Sequence, residues 1–416
     1  VNPQTFHPVI EQLPRPGEKR LALHIKPGVE AALRGGHPWL FEQAIVKQSR
    51  EGQPGDLAVI FDRKKRFLAI GLYDPFSPIR VKILQHHEPT EINPSWFHNK
   101  LTAAAKIRQP LLETQTNGYR LVHGENDGLP GMIIDRYADT LVVKLYTVAW
   151  FPHLRNVLPA LLQIQPAERI VLRLSRAAQS QPGFGLFDGQ ILVGDSLNQS
   201  LIFEENGLLF LADVVKGHKT GFFFDHRENR ALVGQLACGD VLDVFSYSGA
   251  FSLYAARGGA NSVLSADVSA PALETARENF ALNMANPNIA KARHEILVGD
   301  AFETMRDLKS KGRLFDTVIV DPPSFAKSSA EILGALESYA SLTRLALGTL
   351  KKGGLLVIAS CSSRVTADDF YRTVLGAAEQ NGRRLTEMKR TGHAIDHPIG
   401  FPEGAYLKCL FATADH

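Results

Sequence analysis

The sequence predicts an α/β protein: a doubly wound C-terminal sheet preceded by a small mixed β-barrel and a small central α+β region. Three observations carry this reading. Beyond residue 216, apolar strand-like runs alternate with helical runs across short connections, the pattern of a sheet covered on both faces. From Lys19 to Glu91, short β-rich runs are separated by turn formers. Between them the order is helix, hairpin, helix, strand. The expected domains are therefore 1–94, 95–215 and 216–416, in line with a prior of roughly 150 residues per domain for a chain of 416.

In the first region, strands are expected at 21–25, 57–61, 67–72 and 79–84, with a helix at 28–34 and turns at Pro54-Gly55-Asp56 and Asp74-Pro75. The run Arg63-Lys64-Lys65-Arg66 reads as a hairpin tip, either a solvated turn or a phosphate contact. A polar stretch, 86–94, reads as a linker. The central region opens with a helix at 95–112 and continues into a hairpin over 119–145. The hairpin's centre, Glu125-Asn126-Asp127-Gly128-Leu129-Pro130-Gly131, is dense in turn residues. A helix near 152–162 and a strand at 169–174 follow. In the last region, strands are expected at 241–245, 262–267, 294–298, 317–321 and 354–360, and helices at 250–257, 271–283, 301–311 and 333–350.

Composition bounds the function. A hydrophobic content of 44% is that of a globular chain. The three cysteines, Cys238, Cys361 and Cys409, are too scattered for a disulfide framework or a zinc site, so no metal and a reducing cytoplasm are expected. The first sixteen residues have no apolar signal core, and no apolar run reaches the ~18 residues of a membrane span. The net charge of +3 argues weakly for nucleic acid, but residues 1–85 hold 13 Lys/Arg against 8 Asp/Glu.

Ligands of doubly wound sheets bind above the carboxyl ends of the strands, and the informative acids and a thiol fall there. Asp321-Pro322-Pro323-Ser324-Phe325 follows the apolar run Phe315-Asp316-Thr317-Val318-Ile319-Val320. Its two prolines remove backbone donors and force an extended bend, which leaves carbonyls and Asp321 facing a planar, hydrogen-bonding substrate. A second apolar strand ends in Ser360-Cys361-Ser362-Ser363. A carboxylate and a thiol at two strand ends suggest covalent chemistry on a base, although Asp-Pro also starts ordinary turns and a single Cys also fills cores. The first strand runs into Phe245-Ser246-Tyr247-Ser248-Gly249 without the glycine fingerprint of a dinucleotide or a P-loop. Asp267 ends the second strand, placed for a ribose diol. Asp300 follows the third, placed for an adenine amine. A ribose, an adenine and no pyrophosphate point to S-adenosylmethionine; an Asp at a strand end is also often a helix N-cap, a reading that weakens when such acids recur at consecutive elements.

The segment from Lys219 to Arg230, Lys-Thr-Gly-Phe-Phe-Phe-Asp-His-Arg-Glu-Asn-Arg, together with Phe245-Ser246-Tyr247-Ser248-Gly249 and Asp321-Pro322-Pro323-Ser324-Phe325, closely resembles the large-subunit (23S) ribosomal RNA methyltransferase I family. These are class I, Rossmann-like enzymes that use S-adenosylmethionine. Gly36-His37-Pro38-Trp39-Leu40-Phe41 resembles the start of their N-terminal PUA domain, and His397-Pro398 with Pro402 to Lys408 resembles their tail. The resemblance implies cofactor contacts from Lys219, Phe223, Arg227, Phe245, Ser246, Tyr247, Asp267 and Asp300, with RNA, in particular large-subunit ribosomal RNA, as partner. The oligomeric state, a homodimer included, is left open. One departure is His226, where members of that family usually carry Gln.

The chemistry implied is methylation of cytosine carbon 5. That carbon is a poor nucleophile until a thiolate adds to carbon 6, so Cys361 is the expected nucleophile. Asp321 is expected at the ring nitrogen 3 edge, where the addition pushes charge. Pro322, Pro323 and Phe325 complete the substrate mouth, with Phe325 either stacking the flipped base or packing in the core. Arg364 is either a solvent-facing cap residue or the charge that lowers the thiol pKa. Two rivals stand beside this reading: methylation of a ring or exocyclic nitrogen, which needs no cysteine, and a noncatalytic RNA-binding factor.

Overall fold

In a computed structural model that describes residues 6–217 and 219–415, the chain forms two compact units. One holds the chain up to Gly207 with Ala212–Phe224 and Ile395–Pro402. The other holds Leu208–Leu211, Asp225–Ala394 and Glu403–His416.

The first unit carries two sheets. The N-terminal one is mixed and six-stranded, in the spatial order Trp39–Phe41, Ile79–His86, Phe67–Tyr73, Leu57–Phe61, Leu21–Ile25, Ile45–Gln48. The runs expected from turn spacing all appear; the two short strands Trp39–Phe41 and Ile45–Gln48 were not expected, because three or four residues give no readable alternation. The basic run does form the tip between Leu57–Phe61 and Phe67–Tyr73. Asp62, whose side chain is wholly buried, organises that tip by accepting from the backbone N–H groups of Lys64 and Arg66 and from the guanidinium groups of Arg34 and Arg66.

The central sheet has five strands, ordered Ile191–Val193, Arg169–Leu174, Thr140–Leu145, Met132–Tyr137, Gly118–His123. The expected hairpin over 119–145 is thus three strands rather than two, because Ala138 takes a positive φ and turns the chain between Tyr137 and Thr140. The helix expected at 95–112 ends at Arg108, since Pro110 cannot continue the bonding ladder. Arg108 is buried against Asp127 in a bidentate pair at 2.8 and 2.7 Å, and Arg120 pairs with Asp135 at 2.8 and 3.0 Å. Val9, Ile10, Leu13, Leu72 and Leu84 pack into the same hydrophobic core as Trp96, Phe97 and Trp150.

The second unit is built on a seven-stranded sheet. Its strands are β1 (Asp240–Val244), β2 (Ser262–Asp267), β3 (Arg293–Val298), β4 (Phe315–Val320), β5 (Leu350–Ser360), β6 (Leu385–Thr391) and β7 (Lys408–Ala414). Their spatial order is β3-β2-β1-β4-β5-β7-β6, parallel from β3 to β5, with β7 antiparallel to both neighbours. Val241, Leu242, Val318, Ile319 and Val320 are almost completely buried, as expected of central strands covered by helices on both faces. The chain leaves β1 outward to β3 and returns to β4 at β1's other side. The crevice above β1 and β4 is therefore the switch point where such sheets hold ligands.

Candidate active site

The loop after β1 stores strain. Phe245, Tyr247 and Gly249 all have positive φ, at 62°, 49° and 71°, and for the two aromatic residues this left-handed region costs energy that the surroundings must sustain. They do so through the Ser246 N–H donated to the Ala266 carbonyl at 3.1 Å and the Tyr247 N–H donated to Asp267 Oδ2 at 2.9 Å. Gly249 sits where a Cβ would lie 2.7 Å from that of Ala276, so only glycine lets the next helix approach.

Asp267, at the end of β2, accepts one backbone N–H on each oxygen, from Tyr247 and from Ser269. Carboxylate oxygens carry two lone pairs each, so it retains the capacity to bind a diol. Asp300 caps the helix Ala301–Ser310, accepting both the Phe302 and the Glu303 N–H on Oδ1. The capping role is therefore real, and Oδ2 makes neither of these bonds. Exposed Val268 and Val298 and half-buried Phe302 lie beside these acids in the chain, apolar surface of the kind an adenine would cover.

Beneath the loop, Asp243 is completely buried in β1. Its Oδ2 accepts the backbone N–H and the hydroxyl of Ser252 at 3.1 and 2.7 Å, while its Oδ1 has no hydrogen-bond partner. Burial, reinforced by the Asp321 and Asp267 carboxylates and opposed by Ser252, pushes its pKa up to about 7. An orphan oxygen with so high a pKa fits a site completed by a positively charged ligand, as the ammonium or sulfonium of S-adenosylmethionine would be.

On the substrate side, the loops after β4 and β5 are clamped together. Cys361 Sγ lies 3.7 Å from the Pro322 carbonyl, and Ser362 Oγ donates to the Ala326 carbonyl at 3.3 Å. Asp321 and Cys361 thus stand side by side at adjacent strand ends, both partly exposed, with Pro322 buried and Pro323 exposed between them. Phe325 turns to packing: its ring meets Tyr339 edge-on at 5.2 Å and borders the core. Tyr339 in turn shares a 2.8 Å hydrogen bond with Ser360.

Two residues join this site that the sequence did not single out for these tasks. Lys408, the first residue of β7, is paired with Ser360 and buried, and its Nζ donates to the carbonyls of Ser362 and Tyr406. Burial pulls its pKa down to about 8, against the opposing charge of Cys361. Arg364 is exposed, the solvent-facing one of its two expected placements, and its backbone N–H donates to Ser362 Oγ. The second is His226, whose Nε2 lies 3.2 Å from Asp321 Oδ1. Burial would lower the imidazole pKa, but the charge and hydrogen bond of Asp321, with help from Asp225 and against Arg230, raise it above 6.5.

The remaining expected cofactor contacts divide between the units. Arg227 opens the helix Arg227–Leu236 in the second unit, buried next to His226. Lys219 and Phe223 belong to the first, where the Lys219 ammonium lies over the Phe223 ring at 4.0 Å. Of the other cysteines, Cys238 is exposed before the amino end of β1, whereas Cys409 is buried in β7 and burial pushes its thiol pKa far up. Among the described residues no helix is long and apolar enough to cross a membrane.

Comparison with known proteins gives the family and the fold. A family model for S-adenosylmethionine-dependent methyltransferases matches residues 181–399, and one for PUA-like domains matches residues 23–86. A protein of Deinococcus radiodurans named ribosomal RNA large subunit methyltransferase is 46% identical over 409 residues, covering 97% of this chain and 99% of the relative. A ribosomal RNA large subunit methyltransferase I of Shewanella amazonensis is 38% identical over 397 residues, with 94% and 99% covered. A solved methyltransferase in complex with SAH shares the fold at a TM-score of 0.78 and 20% identity, covering 94% of this chain and 99% of its own.

Proposed function

Because the chain belongs to the ribosomal RNA large subunit methyltransferase I family of S-adenosylmethionine-dependent enzymes, we propose that it forms 5-methylcytosine in large-subunit ribosomal RNA through a covalent adduct of Cys361. The observation that carries the reading is the clamp that holds Cys361 beside Asp321, with the buried Lys408 ammonium bonded to the carbonyl of Ser362, the residue after the thiol. An amine-directed site would need the acid loop but no thiol next to it, nor a buried lysine within electrostatic reach of that thiol.

S-adenosylmethionine, when bound, supplies an electrophilic methyl group. Asp267 and Asp300 would hold its ribose and adenine, Phe245, Ser246 and Tyr247 would shape the loop around it, and Lys219, Phe223 and Arg227 would add contacts. Cys361, as a thiolate balanced by Lys408, adds to carbon 6 of the base. The S–C6 bond forms as the C5=C6 π bond opens, and Asp321 meets the nitrogen 3 edge where charge gathers. Carbon 5 takes the methyl group, then loses its proton to a base, and the electron pair so released re-forms C5=C6 and expels the thiolate. Residues 1–94 would read the RNA, with 95–215 as scaffold, and the target base must be unstacked into the site at a cost of a few kcal/mol. A cytoplasmic location suits this substrate and three cysteines outside any disulfide.

The test is RNA containing 5-fluorocytosine, in which fluorine replaces the proton that must leave, so the adduct accumulates. Wild type, Cys238→Ala and Cys409→Ala proteins should be trapped, and Cys361→Ala should neither be trapped nor transfer methyl groups while keeping its cofactor affinity. Normal methylation by Cys361→Ala would transfer the assignment to a ring or exocyclic nitrogen.

A further inference from the structure

His226 meets Asp321 from a side where buried polar partners converge. Both His226 and Asn229 are almost completely buried, whereas the Asp321 side chain keeps 24% of its exposure toward the mouth. The imidazole has two nitrogens with different tasks. Nε2 lies 3.2 Å from Asp321 Oδ1, and Nδ1 lies 3.0 Å from Asn229 Nδ2. The Asn229 amide is itself oriented, because its Oδ1 accepts from Thr391 Oγ1 at 2.6 Å and its Nδ2 also donates to the Gly392 carbonyl at 3.3 Å. An amide held this way presents N–H to the ring, so Nδ1 must accept and the ring proton must sit on Nε2. The edge of the Phe251 ring, 5.3 Å away and inclined at 68°, fixes the imidazole plane.

We propose that His226 is the positioning residue of Asp321: the chain Thr391–Asn229–His226 keeps a hydrogen on Nε2 that is donated to Oδ1, which aims the other carboxylate oxygen at the substrate base. The arrangement rests on the reading of Asp321 given above. The Nε2–H tautomer makes both bonds at once; the imidazolium would keep the donation to Asp321 but, with a proton on Nδ1, would give up the bond from Asn229. The carboxylate needs such a tether. It follows a strand directly but precedes two prolines, so the loop itself offers no N–H from the next two residues to hold it. Asp225 and Arg230 also face the imidazole and set its surroundings without occupying either nitrogen's bond to Asp321 or Asn229.

The tether separates two substitutions of similar bulk. Gln can donate from its amide nitrogen to Asp321, and Met cannot. His226→Gln should keep the single-turnover rate within about threefold of wild type, whereas His226→Met should lose tenfold or more in that rate, as expected when a bond of about 1.4 kcal/mol or more that aligns a catalytic group is removed. Both should retain the wild-type affinity for S-adenosylmethionine and the wild-type melting temperature. The readout is the single-turnover rate of adduct formation on large-subunit ribosomal RNA transcribed with 5-fluorocytidine. Rescue by Gln but not by Met supports the tether. Equal rates for wild type and His226→Met overturn it while leaving the cytosine reading intact, and equal losses in Gln and Met variants also overturn it, since packing rather than donation would then matter. Absence of an adduct even with wild-type protein overturns the cytosine reading and the tether's purpose with it.

Discussion

Replacing Asp243 by Asn should make the methyltransferase unit markedly less sensitive to pH. Asp243 is fully buried, accepts two bonds from Ser252 on Oδ2 and leaves Oδ1 without a partner, so the folded chain releases its proton only at about 7 against 3.8 for an exposed carboxyl. A group whose folded pKa is raised in this way makes the folded state the better proton binder between those two values. Stability therefore falls as pH rises from about 4 to about 7 and is level above. At ~1.36 kcal/mol per unit, the full span amounts to about 4 kcal/mol, of which about 2 kcal/mol is lost between pH 5.5 and pH 8. Asn keeps an oxygen for Ser252 and does not titrate. All three tryptophans, Trp39, Trp96 and Trp150, belong to the other unit, so fluorescence would report the wrong transition. Hydrogen exchange of peptides covering β1, corrected for the intrinsic pH dependence of exchange, reads the right one. The difference in opening free energy between wild type and Asp243→Asn should shift by about 2 kcal/mol toward the variant from pH 5.5 to pH 8. A difference that stays constant across that range would refute the account of Asp243 as a buried acid lacking a partner.

Asp267→Ala should weaken binding of S-adenosylmethionine and of its demethylated product by about 1.5 to 3 kcal/mol, the range for charge-assisted hydrogen bonds, as read by calorimetry; unaltered affinity in a folded variant would remove the ribose assignment. Deleting the first 90 residues is a poor test of RNA recognition, because Val9, Ile10, Leu13, Leu72 and Leu84 belong to a core shared with Trp96 and Trp150. Substituting Arg63, Lys64 and Lys65 by Ala leaves the Asp62–Arg66 framework of the tip in place. If the tip contacts phosphates, the salt slope of RNA binding should flatten by roughly 0.7 to 0.9 per contact removed, and an unchanged slope would make it a solvated turn.

What was legible in the sequence follows from burial. β1, β2, β4 and β5 announce themselves as apolar runs, and once they are parallel the residues after them, Asp267, Asp321 and Cys361, must share one edge. β6 gave no signal because it is the polar edge strand Leu-Thr-Glu-Met-Lys-Arg-Thr, buried only at Leu385 and half-buried at Thr391. Without β6 and β7 in place, Lys408 had no position, and Arg364 was a candidate cation only for its closeness to Cys361 along the chain. Antiparallel pairing of Ser360 with Lys408 crosses that distance in a single ladder step. His226 is another contact that only folding shows, since ninety-odd residues separate it from Asp321 and no periodicity connects a short 3₁₀ turn to a strand end.

If Cys361 is the nucleophile proposed above, its contact with the Pro322 carbonyl makes it a capped one. A thiol can place its proton on that oxygen, whereas a thiolate has none to give and meets only lone pairs. Leaving the carbonyl and becoming reactive are thus the same event. A sulfur parked in this way would be shielded from peroxide or alkylating reagents while the site is idle and open to them once it leaves the carbonyl, so the 3.7 Å contact that ties the two loops together would also guard the thiol between turnovers.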